Sequence, residues 1–246
     1  DQSLRTASAI EPDNSAVVQL RQQLDRRIYL TREKERLQAE ADARIAQAQA
    51  MAAEQDQMNL ASGITTYYDG NYPEAYRFLY PLAQRKEPRA QVRVARMLHE
   101  ARGVERDSIQ AVALFSAALN PVQLAASQGN AWAQSDLGDY FVDGLVIDTD
   151  YQSAAFWYHK AAEQGYAPAQ TNLGWLYENG KGVAQDYKQA FSLYQKAAKK
   201  GQAEGQLNLG IMYANGKGMK VDYEKAVYWY KRAAEQEQVE AQLNLG

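Results

Sequence analysis

One block of six residues returns at a fixed interval through the second half of the chain. It reads Ala-Gln-Thr-Asn-Leu-Gly at residues 169–174, and close copies end at Gly210 and Gly246, each 36 residues after the one before. A looser copy ends at Gly138, again 36 residues earlier. A fixed period of this length with helical patterning is typical of stacked two-helix units. The repeat therefore predicts an all-α solenoid, a fold that usually offers an extended surface to a partner.

The composition excludes several classes of function. A formal net charge of −3 argues against a dedicated nucleic-acid-binding protein, which is normally strongly basic. The absence of cysteine rules out disulfides, thiolate metal sites and a cysteine nucleophile, and two histidines are too few for a multi-histidine metal site. We expect no metal and no cofactor. No apolar run approaches ~18 residues, so we also expect no transmembrane segment.

The first 60 residues are more polar than the rest of the chain. Residues 1–12 lack periodicity and are expected to be a disordered lead-in. Residues 16–60 contain no glycine and no proline, and the composition predicts one long helix over residues 13–59. Its apolar seam is thin and fails at Thr31 and Lys34, so the helix cannot bury itself alone. Three hypotheses remain open, namely pairing in a coiled coil, packing along a partner, and a partly frayed, solvated helix that links a membrane anchor to the repeats.

The repeated units carry a recognisable pattern. They have the form Ala-Gln-x-Asn-Leu-Gly-x-x-Tyr-x-Asn-Gly-x-Gly-Val, followed by Asp-Tyr-x-x-Ala-x-x-x-Tyr-x-Lys-Ala-Ala, and they resemble Sel-1-like repeats. The resemblance covers about residues 60–246 and begins with a compact unit similar to a tetratricopeptide repeat. It implies a right-handed α/α superhelix. Residues 242–246 begin a first helix that has no second helix after it, so we expect that the protein continues or that a partner covers this end.

Small residues predict where the two helices of a unit meet. Glycine in the middle of a helix costs about 1 kcal/mol relative to alanine, which is tolerable where a second helix approaches closely. The predicted contact pairs are Gly138 with Ala154, Gly174 with Ala190, and Gly210 with Ala226. A further glycine set is predicted to end the first helices, and an aspartate set to cap the second helices: Gly144, Gly180 and Gly216, then Asp150, Asp186 and Asp222.

One interval departs from the period. Ala95 takes the place of the glycine in the preceding unit, and Gly138 follows it by 43 residues rather than 36. The surplus falls near residues 116–124 and equals about two helical turns, so a longer helix would keep its buried face in phase. Alternatively, Asn120-Pro121 breaks the helix into a short extra turn, and this is the outcome we favour.

Candidates for catalysis are few. Arg96, His99 and Glu100 lie on one first helix in a combination that suits acid–base chemistry, but no nucleophile accompanies them. We interpret His99 as an ordinary exposed histidine and His159, beside Phe156 and Trp157, as a packing or surface residue. We therefore predict no catalytic residues and no enzymatic activity. The alternative is an envelope protein that binds or hydrolyses cell-wall or β-lactam-like compounds. The resemblance implies this alternative, because some cysteine-rich members of the family have been linked to β-lactam binding or hydrolysis.

Two surfaces are candidates for binding a partner. Arg89, Arg93 and Arg96 fall at helical spacing and form a basic stripe, which is either a docking face for an acidic segment or a solvated helix face. The resemblance to tetratricopeptide-like folds implies a concave face lined by first-helix residues near each small residue: Arg96, His99, Asp139, Thr171, Trp175, Glu178, Leu207, Ile211 and Ala214.

Trp175 and Ile211 are large apolar residues on this predicted concave face. Exposed aromatic anchors often carry much of the binding energy of an interface, so we predict that they hold a partner. Alternatively, Trp175 packs on Ile211 and contributes only to the core. The sequence as a whole predicts a non-enzymatic scaffold for a protein or peptide partner, with self-association through the long helix. We expect it to act in a bacterial envelope-associated complex in the periplasm, with the cytoplasm as the alternative location.

Overall fold

A computed structural model describes residues 15–236 of the chain. Contacts divide the chain into two compact units, Asp1–Gln55 and Asp56–Gly246. The predicted lead-in at residues 1–12 and the incomplete last repeat after residue 236 lie outside the described residues. Within those residues the fold is all-α with ten helices, as the sequence predicts.

The long N-terminal helix is confirmed. Helix α1 spans Ser15–Tyr68, and every side chain from residue 15 to residue 55 is exposed except the half-buried Glu33. The helix does not end at residue 59 but continues through its last turns into the first repeat. Gly63 lies inside this continuation, and a Cβ there would lie 2.6 Å from Leu79. The last turns of α1 therefore supply the close-packed first helix of this repeat.

The remaining helices form the repeats in pairs. The first repeat is completed by α2, Tyr72–Gln84. The four pairs that follow are α3 with α4 (Pro88–Glu100, Ser108–Ser127), α5 with α6 (Ala131–Asp143, Tyr151–Glu163), α7 with α8 (Ala167–Asn179, Tyr187–Lys199) and α9 with α10 (Ala203–Asn215, Tyr223–Ala234). Each helix from α3 to α9 packs on the one before it and on the one after it.

The predicted ends of the helices are confirmed. Gly144, Gly180 and Gly216 follow the first helices with φ between +63° and +66°, a left-handed backbone that glycine adopts without a steric penalty. Asp150, Asp186 and Asp222 cap the second helices, because their side chains accept hydrogen bonds from the free backbone N–H groups of the first turn. These local signals place the inter-helix turn of each unit.

The predicted close approach of the second helix at these glycines is also confirmed, but the nearest atoms belong to a tyrosine ring rather than to the paired alanine. A Cβ on Gly138, Gly174 or Gly210 would lie 2.6–2.7 Å from the ring of Tyr158, Tyr194 or Tyr230, respectively. The matching alanines of the second helices are buried: Ala154, Ala190 and Ala226. The small residues therefore make room for the tyrosine of the second helix.

The predicted break at Asn120-Pro121 is wrong. Helix α4 runs without interruption over 20 residues and contains Pro121. Its buried face stays in phase through the extra two turns, with Phe115, Ala118, Val122 and Ala126 all inside the core. Burial of this face offsets the hydrogen bond that Pro121 cannot donate. With a mean hydropathy of 1.4, α4 is long and apolar enough to span a membrane by length and composition only, and it is the one such helix among residues 15–236.

Candidate functional site: the inner trough

The predicted basic stripe is not a solvent-exposed face. Arg93 and Asp136 are 1% and 0% exposed, and the Arg93 Nη2 atom donates to Asp136 Oδ1 at 2.6 Å. Arg93 also donates to the Tyr68 hydroxyl at 2.6 Å. Arg96 is mostly buried and pairs with Asp139 and Asp143. Arg93 and Arg96 are not a solvated or docking face, because α5 places these carboxylates against the arginines of α3.

Arg89, the third residue of the stripe, is half-buried. Its guanidinium lies 5.2 Å from the centre of the Trp132 ring, a cation–π contact across the same pair of first helices. None of the three arginines of the stripe is therefore a fully solvated side chain. An acidic partner is not the occupant that this surface favours.

The first helices of successive repeats line two adjoining cavities of about 300 and about 250 Å³. We call this paired cavity the inner trough. Both cavities are lined by the same six residues: Arg96, Glu100, Arg102, Asp139, Asn172 and Glu204. The larger one adds Tyr67, Tyr68, Tyr72, Arg93, Pro168, Leu207 and Asn208, and the smaller one adds Val142, Asp143, Tyr158, Thr171 and Trp175.

Asp139 is the most constrained titratable group of the inner trough. Its Oδ1 atom accepts hydrogen bonds from the Tyr158 hydroxyl at 2.5 Å and the Asn172 amide at 2.9 Å. Its Oδ2 atom accepts from Arg96 at 3.0 Å. Burial raises the pKa of Asp139 to about 6, although the charge of Arg96 opposes this shift. The neighbouring carboxylates of Asp136 and Asp143 raise the pKa further.

Trp175 is the main apolar group of the inner trough that solvent reaches. Its side chain is 40% exposed, and its ring centre lies 6.5 Å from that of Tyr151. Ile211 is half-buried and packs instead against the apolar cluster of Leu207, Tyr230 and their neighbours. Trp175 is therefore available to a partner in a way that Ile211 is not.

The predicted concave-face residues divide into two groups. Arg96, Asp139, Thr171 and Trp175 line the smaller cavity together, and Leu207 lines the larger one. Thr171 is buried, and its hydroxyl donates to Gln202 at 2.6 Å. Four predicted residues line neither cavity: His99, Glu178, Ile211 and Ala214.

The four residues outside the inner trough have other surroundings. Glu178 accepts hydrogen bonds from Tyr194 at 2.9 Å and from Lys217 at 2.8 Å, so it ties its repeat to the next one. His99 is half-buried rather than exposed as predicted, because it lies in the last turn of α3, which packs on its neighbouring helices. Ala214 packs in the same apolar cluster as Ile211. Among the described residues, no group of three or more His, Cys, Asp or Glu side chains is arranged to hold a metal ion.

Sequence reasoning missed several residues of the inner trough, most clearly Asn172 and Asn208. Both stand two residues before the small glycine, in the repeated Ala-Gln-x-Asn-Leu-Gly block. Their recurrence was the available signal. Three further residues lie at or just beyond the ends of their first helices: Glu100, Arg102 and Asp143. The concave face was predicted from positions close to the small residue, which do not include these helix ends.

Comparison with known proteins agrees with this architecture. The Sel1 repeat family matches residues 88–120, 133–166, 167–202 and 203–237. A Sel1 repeat protein from Oxalobacter formigenes is 28% identical and superposes with a TM-score of 0.50, over 77% of this chain and 74% of its own. No curated protein matches the chain.

Two further solved structures are similar. One is a protective antigen present in uropathogenic Escherichia coli strains that displays the same repeat fold, with 33% identity and a TM-score of 0.48. The match covers 79% of this chain but only 41% of the antigen. The other is cysteine rich protein B of Helicobacter pylori, with 26% identity and a TM-score of 0.42, over 51% of this chain and 90% of that protein.

Proposed function

The chain belongs to the Sel1 repeat family, and from this premise we propose that it is a non-enzymatic scaffold that binds an extended segment of a partner protein in the inner trough. Sel1-repeat proteins generally serve as protein-interaction scaffolds and are typically not catalytic. One observation carries the proposal for this chain. Trp175 is exposed beside a network of buried polar groups, the combination of apolar anchor and orienting hydrogen bonds that interfaces use.

The charge of the inner trough favours a basic partner segment. Asp136 neutralises Arg93. The lining then keeps two guanidinium groups and four carboxyl groups: Arg96 and Arg102 against Glu100, Asp139, Asp143 and Glu204. A lysine or arginine beside an apolar anchor would complement this lining, because complementary charge orients a partner and speeds its association.

The geometry gives no support to the alternative of ligand hydrolysis. A general base must reach the proton that it abstracts with a free acceptor atom. Both oxygens of Asp139, the buried carboxyl group with the raised pKa, already accept hydrogen bonds from Arg96, Tyr158 and Asn172. Its geometry suits a positioning role in the trough wall better than proton transfer to a substrate.

Selection from a random peptide library on the full chain tests the proposal. We expect enriched peptides to carry an apolar residue flanked by lysine or arginine. Trp175→Ala should weaken their binding by about 5- to 30-fold, since truncating an aromatic hot spot costs roughly 1–2 kcal/mol. Phe156→Ala is the matched control, because Phe156 is an exposed aromatic residue outside the inner trough. Equal binding by the folded Trp175→Ala protein would show that the partner uses another surface.

Two further parts of the proposal concern assembly and location. We propose that α1 mediates self-association, because its apolar side chains are exposed, among them Leu20, Leu24 and Ile45. We also propose a bacterial envelope complex as the setting, and the similarity to the Oxalobacter protein supports the bacterial part of this proposal. Fractionation of cells that express the full-length protein tests the location, and recovery from the cytoplasmic fraction would overturn it.

A further inference from the structure

The exposed part of α1 carries opposite charge on its two halves. Residues 15–36 contain six cationic and three anionic side chains, a net charge of +3. Residues 37–55 contain one cationic side chain, Arg44, and three anionic ones, Glu40, Asp42 and Glu54, a net charge of −2. The pairs of Arg36 with Glu33 and Glu40 lie near the midpoint and leave this asymmetry in place.

The apolar seam of α1 follows a seven-residue pattern with a polar centre. Residues at the two core positions of this pattern are Val17, Leu20, Leu24, Arg27, Thr31, Lys34, Gln38, Ala41, Ile45, Ala48, Ala52 and Gln55. All are exposed. Large side chains fill the seam in the N-terminal half, whereas alanine predominates in the C-terminal half. Exposed apolar residues along one seam of a long helix are the pattern by which two helices pair.

A parallel pair of identical helices would place each residue opposite the same residue of the other copy. Arg27 would face Arg27 and Lys34 would face Lys34 inside the seam, and the two halves of net charge +3 would lie side by side. An antiparallel pair centred on Arg36 avoids both problems. Leu20 of one copy then lies opposite Ala52 of the other, and Leu24 lies opposite Ala48, so that large residues meet small ones. Arg27 faces Ile45, and each positive half lies along a negative half.

We propose that α1 binds α1 of a second copy of this chain in antiparallel orientation. The inference rests on the self-association part of the proposed function and specifies its geometry. It is independent of the inner trough. The occupant of the exposed seam is a second copy because the charge and the side-chain volume of each half complement the other half of the same helix.

Cysteine cross-linking of the full chain tests the orientation, and the absence of native cysteine makes single-cysteine variants unambiguous. In an antiparallel pair, Leu24→Cys of one copy lies opposite Ala48→Cys of the other. Two copies of Ala48→Cys would lie about 36 Å apart along the helix, far beyond the reach of a disulfide. We expect an equimolar mixture of the two variants to form disulfide-linked dimers between them, and each variant alone to form none.

Two results would overturn the proposal, and they are distinguishable. Disulfide-linked dimers of Ala48→Cys alone would establish a parallel pair, so self-association would stand and the orientation would be wrong. A strictly monomeric wild-type chain in sedimentation velocity at high concentration would refute self-association itself. Dimers in sedimentation velocity together with cross-links only in the mixture would support the proposal.

Discussion

Arg93 and Asp136 face each other at 2.6 Å with both side chains almost completely buried, although 43 residues separate them in the chain. Each stands two residues before the small residue of its first helix, so that α3 and α5 bring equivalent positions together. Arg93 also lies over the rings of Tyr67 and Tyr68, at 5.5 and 5.3 Å from their centres. The boundary between these two repeats thus contains a buried ion pair enclosed by aromatic rings.

Breaking this pair should destabilise the fold strongly. Arg93→Met or Asp136→Leu leaves one charge buried without its partner, and the expected loss is about 3–5 kcal/mol in the free energy of unfolding. Urea unfolding followed by circular dichroism measures it.

The double variant Arg93→Met, Asp136→Leu is the control for this loss. It removes both charges, and apolar replacement of a buried pair is often neutral or stabilising, so most of the stability should return. Losses that simply add in the double variant would show that the two side chains are not energetically coupled.

The architecture was predictable because its signals are local and repeated. The fixed interval repeats the same signals in each unit. Gly180 ends one helix and Asp186 caps the start of the next, and both signals depend on backbone chemistry within a few residues. The continuity of α4 was not predictable from Pro121 alone. Burial of Phe115 and Val122 on one face of the helix outweighs the penalty of a proline in the helix interior. A rule that considers the proline alone does not include the free energy gained by this burial.

The candidate site was predictable only in part. Position relative to the small residue identified Arg96, Asp139 and Trp175, which the structure brings together. The burial of the arginine stripe could not be predicted from the pattern of one helix, because that pattern omits the neighbouring helix. Asp136 stands at the position equivalent to Arg93, two residues before the small residue of its first helix, but equivalence within the repeat does not show that the two side chains meet.

Leucine in place of the mid-helix glycines should destabilise the repeats. A Cβ on Gly174 would lie 2.7 Å from the Tyr194 ring, and one on Gly210 would lie 2.7 Å from the Tyr230 ring. Overpacking of this kind typically costs about 1–3 kcal/mol. Thermal melting measures the loss for each variant. Ala117→Leu, on the exposed face of α4, is the matched control, and equal melting of all three variants would show that these glycines have room.

Replacing Pro121 with alanine should stabilise the protein. Pro121 is exposed in the interior of α4, so the change restores a backbone N–H donor to the helix without loss of a buried contact. We expect a gain of about 1–3 kcal/mol, reduced somewhat because alanine also frees the unfolded chain. Ser116→Ala in the same helix should change the stability by less than about 0.5 kcal/mol. Lower stability of Pro121→Ala in urea unfolding would show that the proline conformation itself is favourable here.

The raised pKa of Asp139 predicts a distinctive dependence of stability on pH. Because burial raises this pKa from 3.8 to about 6, the folded protein binds the proton more tightly than the unfolded chain does. The stability contributed by the protonated group is fully present below about pH 4 and is lost as the pH rises through about 6. Arg96, Asp136, Asp143 and Tyr158 surround the group, and the positive charge of Arg96 limits the shift.

Asp139→Asn isolates this contribution, because asparagine has the same shape and does not titrate. The free energy of unfolding of the wild type minus that of the variant should fall as the pH rises from 4 to 6 and should then level off. Urea unfolding at closely spaced pH values measures both proteins. Asp148→Asn, at an exposed site, is the matched control for the substitution itself. A wild-type curve parallel to that of Asp139→Asn between pH 4 and 6 would mean that Asp139 keeps an ordinary pKa, and that its hydrogen bonds from Tyr158, Asn172 and Arg96 stabilise the carboxylate enough to cancel the effect of burial.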